Sequence, residues 1–395
     1  MIKLSDLDVA GKRVFLRADL DVPLGSLNAE PAGTKVLVGR RLTTNAEQAT
    51  RLRNLKPTVE YLLSKQVKQV FIAGHIDRPT PSLQNGNPVI DPALSTQQLL
   101  GPLEEILGTK IVFKPGLSIL HEPGLYQVDK PGSENSENVF LLENLRFWPG
   151  ETVNNLEFVK LLAGLADIYV NEAFANCHRA HASMVGLPML LPHAAGLHLE
   201  KEIFELNHLL ENPARPFVAI VGGAKIETKV PVIENLAKVA DYVLVGGKIA
   251  KQLTVNGSQS TDNANTKPGL ELPYKPGLDE SSNVIVATLT ADGKDISDES
   301  ISKFREIIGK AKTVVWNGPM GVFEEGFLKG SQAVAEAILK SGAYSVVGGG
   351  ETIEFLAQNN LLAAGAGGFS FVSSGGGAML VFLAGKELPG IKALE

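Results

Sequence analysis

The chain has 395 residues, which predicts two domains at roughly 100–200 residues per domain. Hydrophobic residues make up 44% and charged residues 20%, so neither a disordered nor a fibrous chain is expected. The 37 Lys and Arg against 43 Asp and Glu give a net charge of −6, which argues against a nucleic-acid partner because such a partner needs a basic surface.

Cysteine content and hydropathy bear on the compartment. The single cysteine, Cys177, permits neither an internal disulfide nor a cysteine metal cluster, and it fits a reducing compartment. The N-terminal stretch MIKLSDLDVAGKR carries charges where a secretion signal needs an apolar centre. The uncharged stretches 182–199 and 355–385 are both interrupted, and neither offers about 20 continuous apolar residues. We therefore expect a cytoplasmic protein with no membrane partner.

Short apolar, β-branched runs recur along the chain, each followed by a turn signal and a helical pattern. Such runs are typical of strands buried on both faces of a parallel sheet. The predicted strands are 13–16, 69–73, 110–113, 139–142 and 167–170 in the first half, and 217–221, 242–245, 283–289, 313–316, 344–347 and 370–372 in the second. Alternating strands and helices predict βαβ units. The fold class is therefore α/β, with two doubly wound parallel-sheet (Rossmann-like) domains.

The predicted helices include 55–65 and 331–340, which place apolar residues on one stripe. Residues 197–210 predict one helix flanked by prolines, and we interpret it as a hinge between the domains. The predicted organisation is a first domain at 1–187, a linker with the hinge helix at 188–212, and a second domain at 213–378. Turn-rich insertions are predicted as surface loops at 25–34, 80–92 and 122–138.

Polar and basic side chains follow the strands of the first half, at the sheet edge where open α/β folds bind ligands. They are Arg17, Asp19 and Asp21 after the first strand, His75 and Arg78 after the second, Arg146 after 139–142, and His178, Arg179 and His181 after 167–170, with Arg51 directly before a helix. One such arginine is more often a helix cap or an ion pair. Five near one edge favour a small polyanion, because guanidinium binds phosphate and carboxylate bidentately.

Glycine-rich turns follow the strands of the second half. They are Gly222-Gly223-Ala224-Lys225, Gly246-Gly247-Lys248, Asn317-Gly318-Pro319, Gly348-Gly349-Gly350-Glu351-Thr352 and Ser373-Ser374-Gly375-Gly376-Gly377. Each alone could be a tight turn, but together they favour a phosphate-rich nucleotide bound by backbone amides. The chain contains neither GxxxxGK[ST] nor GxGxxG. Lys225 and Lys229, four residues apart, would share a helix face, where they could either neutralise phosphates or be ordinary surface lysines.

Two different kinds of anion site on two domains predict phosphoryl transfer between bound ligands. Another two-lobed carboxylate kinase stays open as an alternative. A non-catalytic two-lobed anion-binding protein also stays open, although that class commonly carries a secretion signal and needs a single ligand site.

Ten short motifs occur in a characteristic order along the chain. The segments are RADLDVP (17–23), TRLR (50–53), GHIDRP (74–79), LENLRF (142–147), NEAFANCHRAHAS (171–183), GGAKIETK (222–229), WNGPMGVFE (316–324), GGGET (348–352), SSGGGA (373–378) and GKELPG (385–390). Each is weak alone, but the set resembles the phosphoglycerate kinase family from Lys12 to the C-terminus.

The resemblance implies a phosphotransferase with a carboxyl acceptor, which moves phosphate reversibly between 1,3-bisphosphoglycerate and ADP to give 3-phosphoglycerate and ATP. It implies a substrate site of Arg17, Asp19, Asp21, Arg51, His75, Arg78, Arg146 and Arg179. It implies a nucleotide site of Gly223, Lys225, Lys229, Gly246 and Gly247 (adenine side), Asn317, Gly318, Glu324 (ribose), and Gly348, Gly349, Gly350, Glu351 and Thr352. Arg51, Lys225, Gly350 and Gly376 would stabilise the transferring group, while the histidines bind or pack and are not general bases.

The resemblance also implies a monomer that uses Mg²⁺ with ATP or ADP, and a C-terminal segment, 379–395, that returns to the first domain. Some positions depart from the family pattern. Asp21 replaces asparagine, Lys248 replaces a loop glycine, and Phe371 replaces histidine. Glu172 and Glu351 replace aspartates. Glu351 keeps the chemistry of a metal ligand on a longer side chain.

Overall fold

The computed structural model describes residues 1–22, 51–84, 87–117, 138–258, 283–362 and 368–395. The chain divides into two compact units: unit 1 is Met1–Glu202 with Glu387–Glu395, and unit 2 is Ile203–Lys386. The predicted insertion at 25–34 lies outside the described residues, as does the one at 122–138 apart from Asn138.

Unit 1 is built on a parallel sheet. Its strands are β1 Arg13–Arg17, β2 Gln69–Ala73, β5 Val112–Lys114, β6 Val139–Leu142, β7 Ile168–Asn171 and β8 His193–Ala195, and a separate antiparallel pair joins β3 Leu83–Gln84 to β4 Asn87–Pro88. The order across the sheet is β5-β6-β2-β1-β7-β8. The chain adds strands on the β2 side of β1 and then returns to add β7 on the other side. The carboxyl ends of β1 and β7 therefore form a topological switch point, where such sheets bind ligands.

Unit 2 repeats the plan. Its strands are β9 Phe217–Val221, β10 Tyr242–Val245, β11 Val284–Val286, β12 Thr313–Asn317, β13 Tyr344–Gly348 and β14 Phe371–Ser373. They are parallel and lie in the order β11-β10-β9-β12-β13-β14. The switch point of this sheet lies between β9 and β12. The prediction of two doubly wound parallel sheets is confirmed.

The helices of the described residues connect these strands. They are α1 Lys56–Ser64, α2 Leu100–Leu107, α3 Pro149–Thr152, α4 Leu156–Ala163, α5 Leu197–Glu211, α6 Ile226–Val239, α7 Gly247–Ser258, α8 Asp298–Gly309, α9 Lys329–Ser341, α10 Gly350–Gln358, α11 Gly376–Leu383 and α12 Pro389–Lys392. Several begin at a side-chain cap: Asn155 accepts from the Phe158 amide at 3.1 Å, and Ser297 from the Ser300 amide at 3.2 Å. No helix of the described residues is long and apolar enough to cross a membrane.

Most strands lie where the apolar runs predict them, because their side chains are buried on both faces of the sheet. All five residues of β9 are buried, for example. Three short strands were not predicted. They are β8 and the two strands of the β3–β4 pair, which lies in the loop expected at 80–92. β8 is short and polar at its start, and it is extended because it pairs with β7 and because the Ala195 amide donates to the Ile2 carbonyl at 3.0 Å.

Candidate active site

Arg17 ends β1 and is completely buried. Its Nε donates to the Ser183 Oγ at 2.8 Å, one Nη donates to the Ala18 carbonyl, and the other lies 2.9 Å from Nδ1 of His75. Ser183 in turn donates to the buried Glu151 carboxylate at 2.6 Å. This chain of partners satisfies a buried cation and fixes the guanidinium rigidly at the switch point.

Asp19 and Asp21 follow β1 and face basic groups. Arg51 lies 3.5 Å from the Asp19 carboxylate and donates to the Asp21 carbonyl at 3.2 Å. The Asp21 carboxylate accepts from the Asp77 amide at 2.8 Å and lies 3.6 Å from Nε2 of His75. Burial raises the pKa of Asp21, but the neighbouring His75, the Asp77 amide and the Arg51 charge lower it well below its usual range. Asp21 is therefore ionised at neutral pH.

Arg146 and Arg179 crowd the same place. Arg179 lies 3.0 Å from Nε2 of His75, and Arg146 donates to the Asp77 carbonyl. Burial and the charges of Arg179 and Arg17 lower the pKa of Arg146 to about 10. Its Nε is buried without a hydrogen bond among the described residues. Mutually repelling, partly dehydrated guanidinium groups gain most when an anion arrives, so this cluster has the electrostatics of an anion site.

The histidines of the cluster are neutral at pH 7. Burial lowers the pKa of His75 to about 3, with Arg17 and Arg146 acting in the same direction against Asp21. Burial and the charges of Arg146, Arg17 and Arg179 lower the pKa of His181 to about 4. Neither ring has the pKa near 7 that suits a general base.

Arg78 differs from the other predicted arginines because its side chain is exposed. It still belongs to the same electrostatic environment, since its charge contributes to lowering the pKa of Arg179. Residues that the sequence analysis did not single out hold the cluster together: Ser183, Glu151 and Asn176, whose amide donates to Asp19 at 3.4 Å. Ser183 and Asn176 lie in the segment 171–183 that the sequence analysis quotes, and this is the only signal that could have found them. Glu151 lies outside the quoted segments.

Glycine turns form the switch point of unit 2. The Gly222 amide donates to the Asn317 carbonyl and the Gly223 amide to the Pro319 carbonyl, both at 2.9 Å, so the turns after β9 and β12 lie in backbone contact. The turn after β10, with Gly246 and Gly247, also contacts the turn after β12, since the Gly247 amide donates to the Met320 carbonyl at 3.0 Å. Gly318 has φ +102° and donates its amide to the buried Thr352 hydroxyl at 2.7 Å.

We expect Gly222→Ala to destabilise unit 2 by about 2–3 kcal/mol, because its Cβ would overlap the carbonyl oxygens of Pro319 and Gly318. Urea unfolding followed by Trp316 fluorescence, in a Trp148→Phe background, measures unit 2 alone. Gly309→Ala is the matched control, since a Cβ there meets nothing within 4 Å. Equal stability of the two variants would contradict this account of the turn contact.

Lys225 and Lys229 occupy different environments. Lys225 is exposed at the N-cap of α6, whereas Lys229 is buried and its ammonium donates to the Asn317 carbonyl at 3.2 Å and to the Asn317 side-chain oxygen. Burial lowers the pKa of Lys229 to about 7, although the Glu351 carboxylate opposes this. The two lysines therefore do not line one exposed face of α6: Lys225 is exposed to solvent, whereas Lys229 is buried.

Two helices begin side by side near these lysines. A Cβ on Gly376, at the start of α11, would lie 3.6 Å from the Gly350 amide nitrogen at the start of α10. Before them, Gly348 ends β13, and Gly349 has φ +97°. A Cβ on Gly349 would lie only 3.1 Å from the Asn317 side-chain amide nitrogen. Two helix N-termini with bare amides at one place are suited to bind phosphate oxygens.

Glu351 and Glu324 are the exposed carboxylates of the predicted nucleotide site. Glu351 lies in the first turn of α10, and its carboxylate lies beside Gly223 at the end of β9. No group of three or more His, Cys, Asp or Glu that could hold a metal occurs among the described residues. The Glu351 carboxylate is of the oxygen-ligand type that Mg²⁺ takes in phosphate sites, where one or two carboxylates act together with phosphate oxygens.

The other departures have structural explanations. Glu172 is buried and accepts from the His198 and Leu199 amides at 3.0 and 3.2 Å, so it caps the N-terminus of α5. Phe371 is buried at the start of β14, where a histidine would cost more to bury. Lys248 is exposed, and its charge contributes to lowering the pKa of Glu325.

Comparison with known proteins fits this arrangement. The family model described as phosphoglycerate kinase matches residues 4–272 and 279–386. The chain belongs to the phosphoglycerate kinase family. A phosphoglycerate kinase of Pseudothermotoga lettingae is 36% identical and covers 100% of this chain and 98% of its own length, and that of Rubrobacter xylanophilus is 37% identical with coverages of 98% and 97%.

Solved phosphoglycerate kinase structures share the fold. That of Coxiella burnetii superposes with a TM-score of 0.73 at 30% identity, and that of Pyrococcus horikoshii with a TM-score of 0.73 at 28% identity. Each comparison covers 100% of this chain and 98% of the other. Membership of the phosphoglycerate kinase family implies small-molecule substrates, including a nucleotide. The monomeric state, the cytoplasmic location and the absence of a nucleic-acid partner stay predictions.

Proposed function

We propose that the chain catalyses the reversible transfer of phosphate from 1,3-bisphosphoglycerate to ADP, which gives 3-phosphoglycerate and ATP. The observation that carries the proposal is the pair of chemically different anion sites at the two switch points. Unit 1 offers an arginine cluster, and unit 2 offers glycine turns with a buried lysine. The family match along nearly the whole chain supports reading both sites as parts of one enzyme.

The arginine cluster fits 3-phosphoglycerate. Its phosphate and carboxylate are both anions that guanidinium binds through paired hydrogen bonds. Arg146 and Arg179 crowd one another, and an anion relieves that repulsion. Arg51 lies beside Asp19 and Asp21 and can reach a group placed next to them. Arg17 is already bound by Ser183, Ala18 and His75, so its part is to hold His75 and to contribute positive charge.

The glycine turns fit the nucleotide. The amides that begin α10 and α11 provide donors for phosphate oxygens, and Lys229 and Lys225 provide positive charge beside them. Gly246 and Gly247 accept no side chain, because a Cβ on Gly246 would meet Met320 and a Cβ on Gly247 would meet the Gly223 backbone. We assign the bare backbone of these two glycines to the base of the nucleotide. Glu324, exposed next to Phe323, offers a carboxylate for the ribose hydroxyls.

The transfer needs charge neutralisation and orientation, and it needs no general base. The attacking oxygen of 3-phosphoglycerate belongs to a carboxylate, which carries no proton to remove. Arg51, Lys225 and the amides of Gly350 and Gly376 would stabilise the negative charge on the transferring group. Glu351 would hold the Mg²⁺ that accompanies the nucleotide, and the metal would supply further neutralisation of the phosphate oxygens.

An ATP-dependent assay with 3-phosphoglycerate, coupled to reduction of the product by a dehydrogenase, tests the proposal. We expect turnover of 3-phosphoglycerate with ATP, and loss of turnover in Lys229→Met as the background control. Phosphorylation of other small carboxylates in place of 3-phosphoglycerate would identify a different carboxylate kinase. Binding of both ligands without turnover would identify an anion-binding protein and refute the proposal.

A further inference from the structure

The His75 ring lies between two guanidinium groups. Arg17 Nη2 is 2.9 Å from Nδ1, and Arg179 Nη1 is 3.0 Å from Nε2. The ring is completely buried, so water does not separate it from either neighbour. Guanidinium groups donate hydrogen bonds and never accept them. Both contacts are therefore directed at the ring nitrogens as donors.

A neutral imidazole can accept from only one of these arginines. It carries one N–H and one bare nitrogen, and the low pKa of His75 keeps the ring neutral at pH 7. One of the two short contacts therefore brings an arginine N–H against the N–H of the ring. The two tautomers of His75 differ in which arginine makes the hydrogen bond and which is repelled.

The surroundings decide between the tautomers. Arg17 is buried and is held by Ser183 and Ala18 as well, so it stays in place as the donor to Nδ1. On the other side of the ring, a carboxylate oxygen of Asp21 lies 3.6 Å from Nε2, while its other oxygen accepts from the Asp77 amide at 2.8 Å. Negative charge next to Nε2 attracts a proton on that atom. Arg17 and Asp21 therefore favour the tautomer with the proton on Nε2, whereas Arg179 favours the other one.

We propose that Asp21 is a positioning residue that holds His75 as the Nε2–H tautomer and so keeps Arg179 available for the anionic substrate. With Nε2 protonated, the Arg179 N–H finds no acceptor on the ring and keeps only a longer contact, 3.4 Å, to the Asn176 side-chain oxygen. An arriving phosphate or carboxylate oxygen then supplies a charged acceptor. With Nδ1 protonated, Arg179 would donate to Nε2, and the substrate would have to compete with that bond. The part of the proposal that concerns substrate rests on the proposed function.

The tautomer can be observed directly by ¹⁵N NMR of the full chain labelled at histidine, with the His75 signals assigned by their loss in His75→Gln. We expect protonated Nε2 and bare Nδ1 in the ligand-free protein. Asp21→Leu removes both side-chain acceptor oxygens at this position, so Nε2 should shift towards the bare state. Asp21→Asn keeps one acceptor oxygen and should retain the Nε2–H tautomer. Because both variants lose the same charge, their difference isolates the acceptor.

Titration with 3-phosphoglycerate is the second readout. We expect about tenfold weaker binding in Asp21→Leu than in Asp21→Asn, which corresponds to the loss of one hydrogen bond between Arg179 and the charged substrate. ADP affinity should be the same in all variants. Asp77→Asn is the control for charge alone, since Asp77 is exposed and its φ of +52° is one that asparagine accepts.

A wild-type ring protonated at Nδ1 overturns the proposal, and so does an Asp21→Leu spectrum identical to that of Asp21→Asn. Equal losses of substrate affinity in Asp21→Leu, Asp21→Asn and Asp77→Asn would also overturn it, because the loss of one negative charge would then explain the effect. The spectra require no substrate. Failure of the wild-type protein to bind 3-phosphoglycerate would count against the proposed function, while the tautomer would still decide the role of Asp21.

Discussion

Arg51→Ala is expected to lower kcat for phosphate transfer by about 10²- to 10³-fold while leaving ADP affinity nearly unchanged. Arg51 is the arginine that contacts both Asp19 and the Asp21 backbone, and only 20% of its side chain is exposed. If it neutralises charge that develops during transfer, its loss acts on the transition state more than on binding of the nucleotide in unit 2. Steady-state kinetics with both substrates and calorimetry with ADP give the two quantities.

Arg53→Ala is the matched control for this prediction. Arg53 has the same side chain, lies two residues further along the same segment, and is exposed. Its removal should change kcat by less than about twofold. Near-normal turnover in Arg51→Ala would remove Arg51 from the transfer site, and a parallel loss in Arg53→Ala would show that the segment acts through general charge.

Lys229→Met is expected to abolish measurable turnover and, at the same time, to remove a pH dependence from the stability of unit 2. Burial lowers the pKa of Lys229 from 10.5 to about 7 in the folded state. Between these two values the unfolded chain binds a proton that the folded chain does not. Folding stability therefore rises with pH across this window because of Lys229, and the penalty is fully present below about pH 7.

Urea unfolding of unit 2 at pH 6 and pH 9, followed through Trp316, measures this contribution. We expect Lys229→Met to gain more stability relative to wild type at pH 6 than at pH 9. Lys225→Met should leave the pH dependence as in wild type, since Lys225 is exposed. The same difference between pH 6 and pH 9 in Lys229→Met and in wild type would show that Lys229 is not the titrating group.

The sequence predicts the sheets well because burial on both faces demands continuous apolar runs. The observed limits of β2, β6, β9 and β10 are those of the runs themselves. The sequence does not predict β8, because its residues, His193–Ala195, form no apolar run and become a strand only through pairing with β7. The sequence does not predict the short β3–β4 pair either, because its residues are largely exposed and therefore show no apolar pattern.

By itself, the sequence determined the fold class and the place of the glycine turns and of most basic residues at strand ends. These follow from local patterns, because parallel strands bring their carboxyl ends to one edge. Only the tertiary structure decided which groups meet. Arg17 finds His75 and Ser183 at separations of 58 and 166 residues, and Lys229 finds Asn317 at 88. The buried, neutral state of His75 and the lowered pKa of Lys229 depend on these distant partners and on exclusion of water, and no local pattern of residues encodes either.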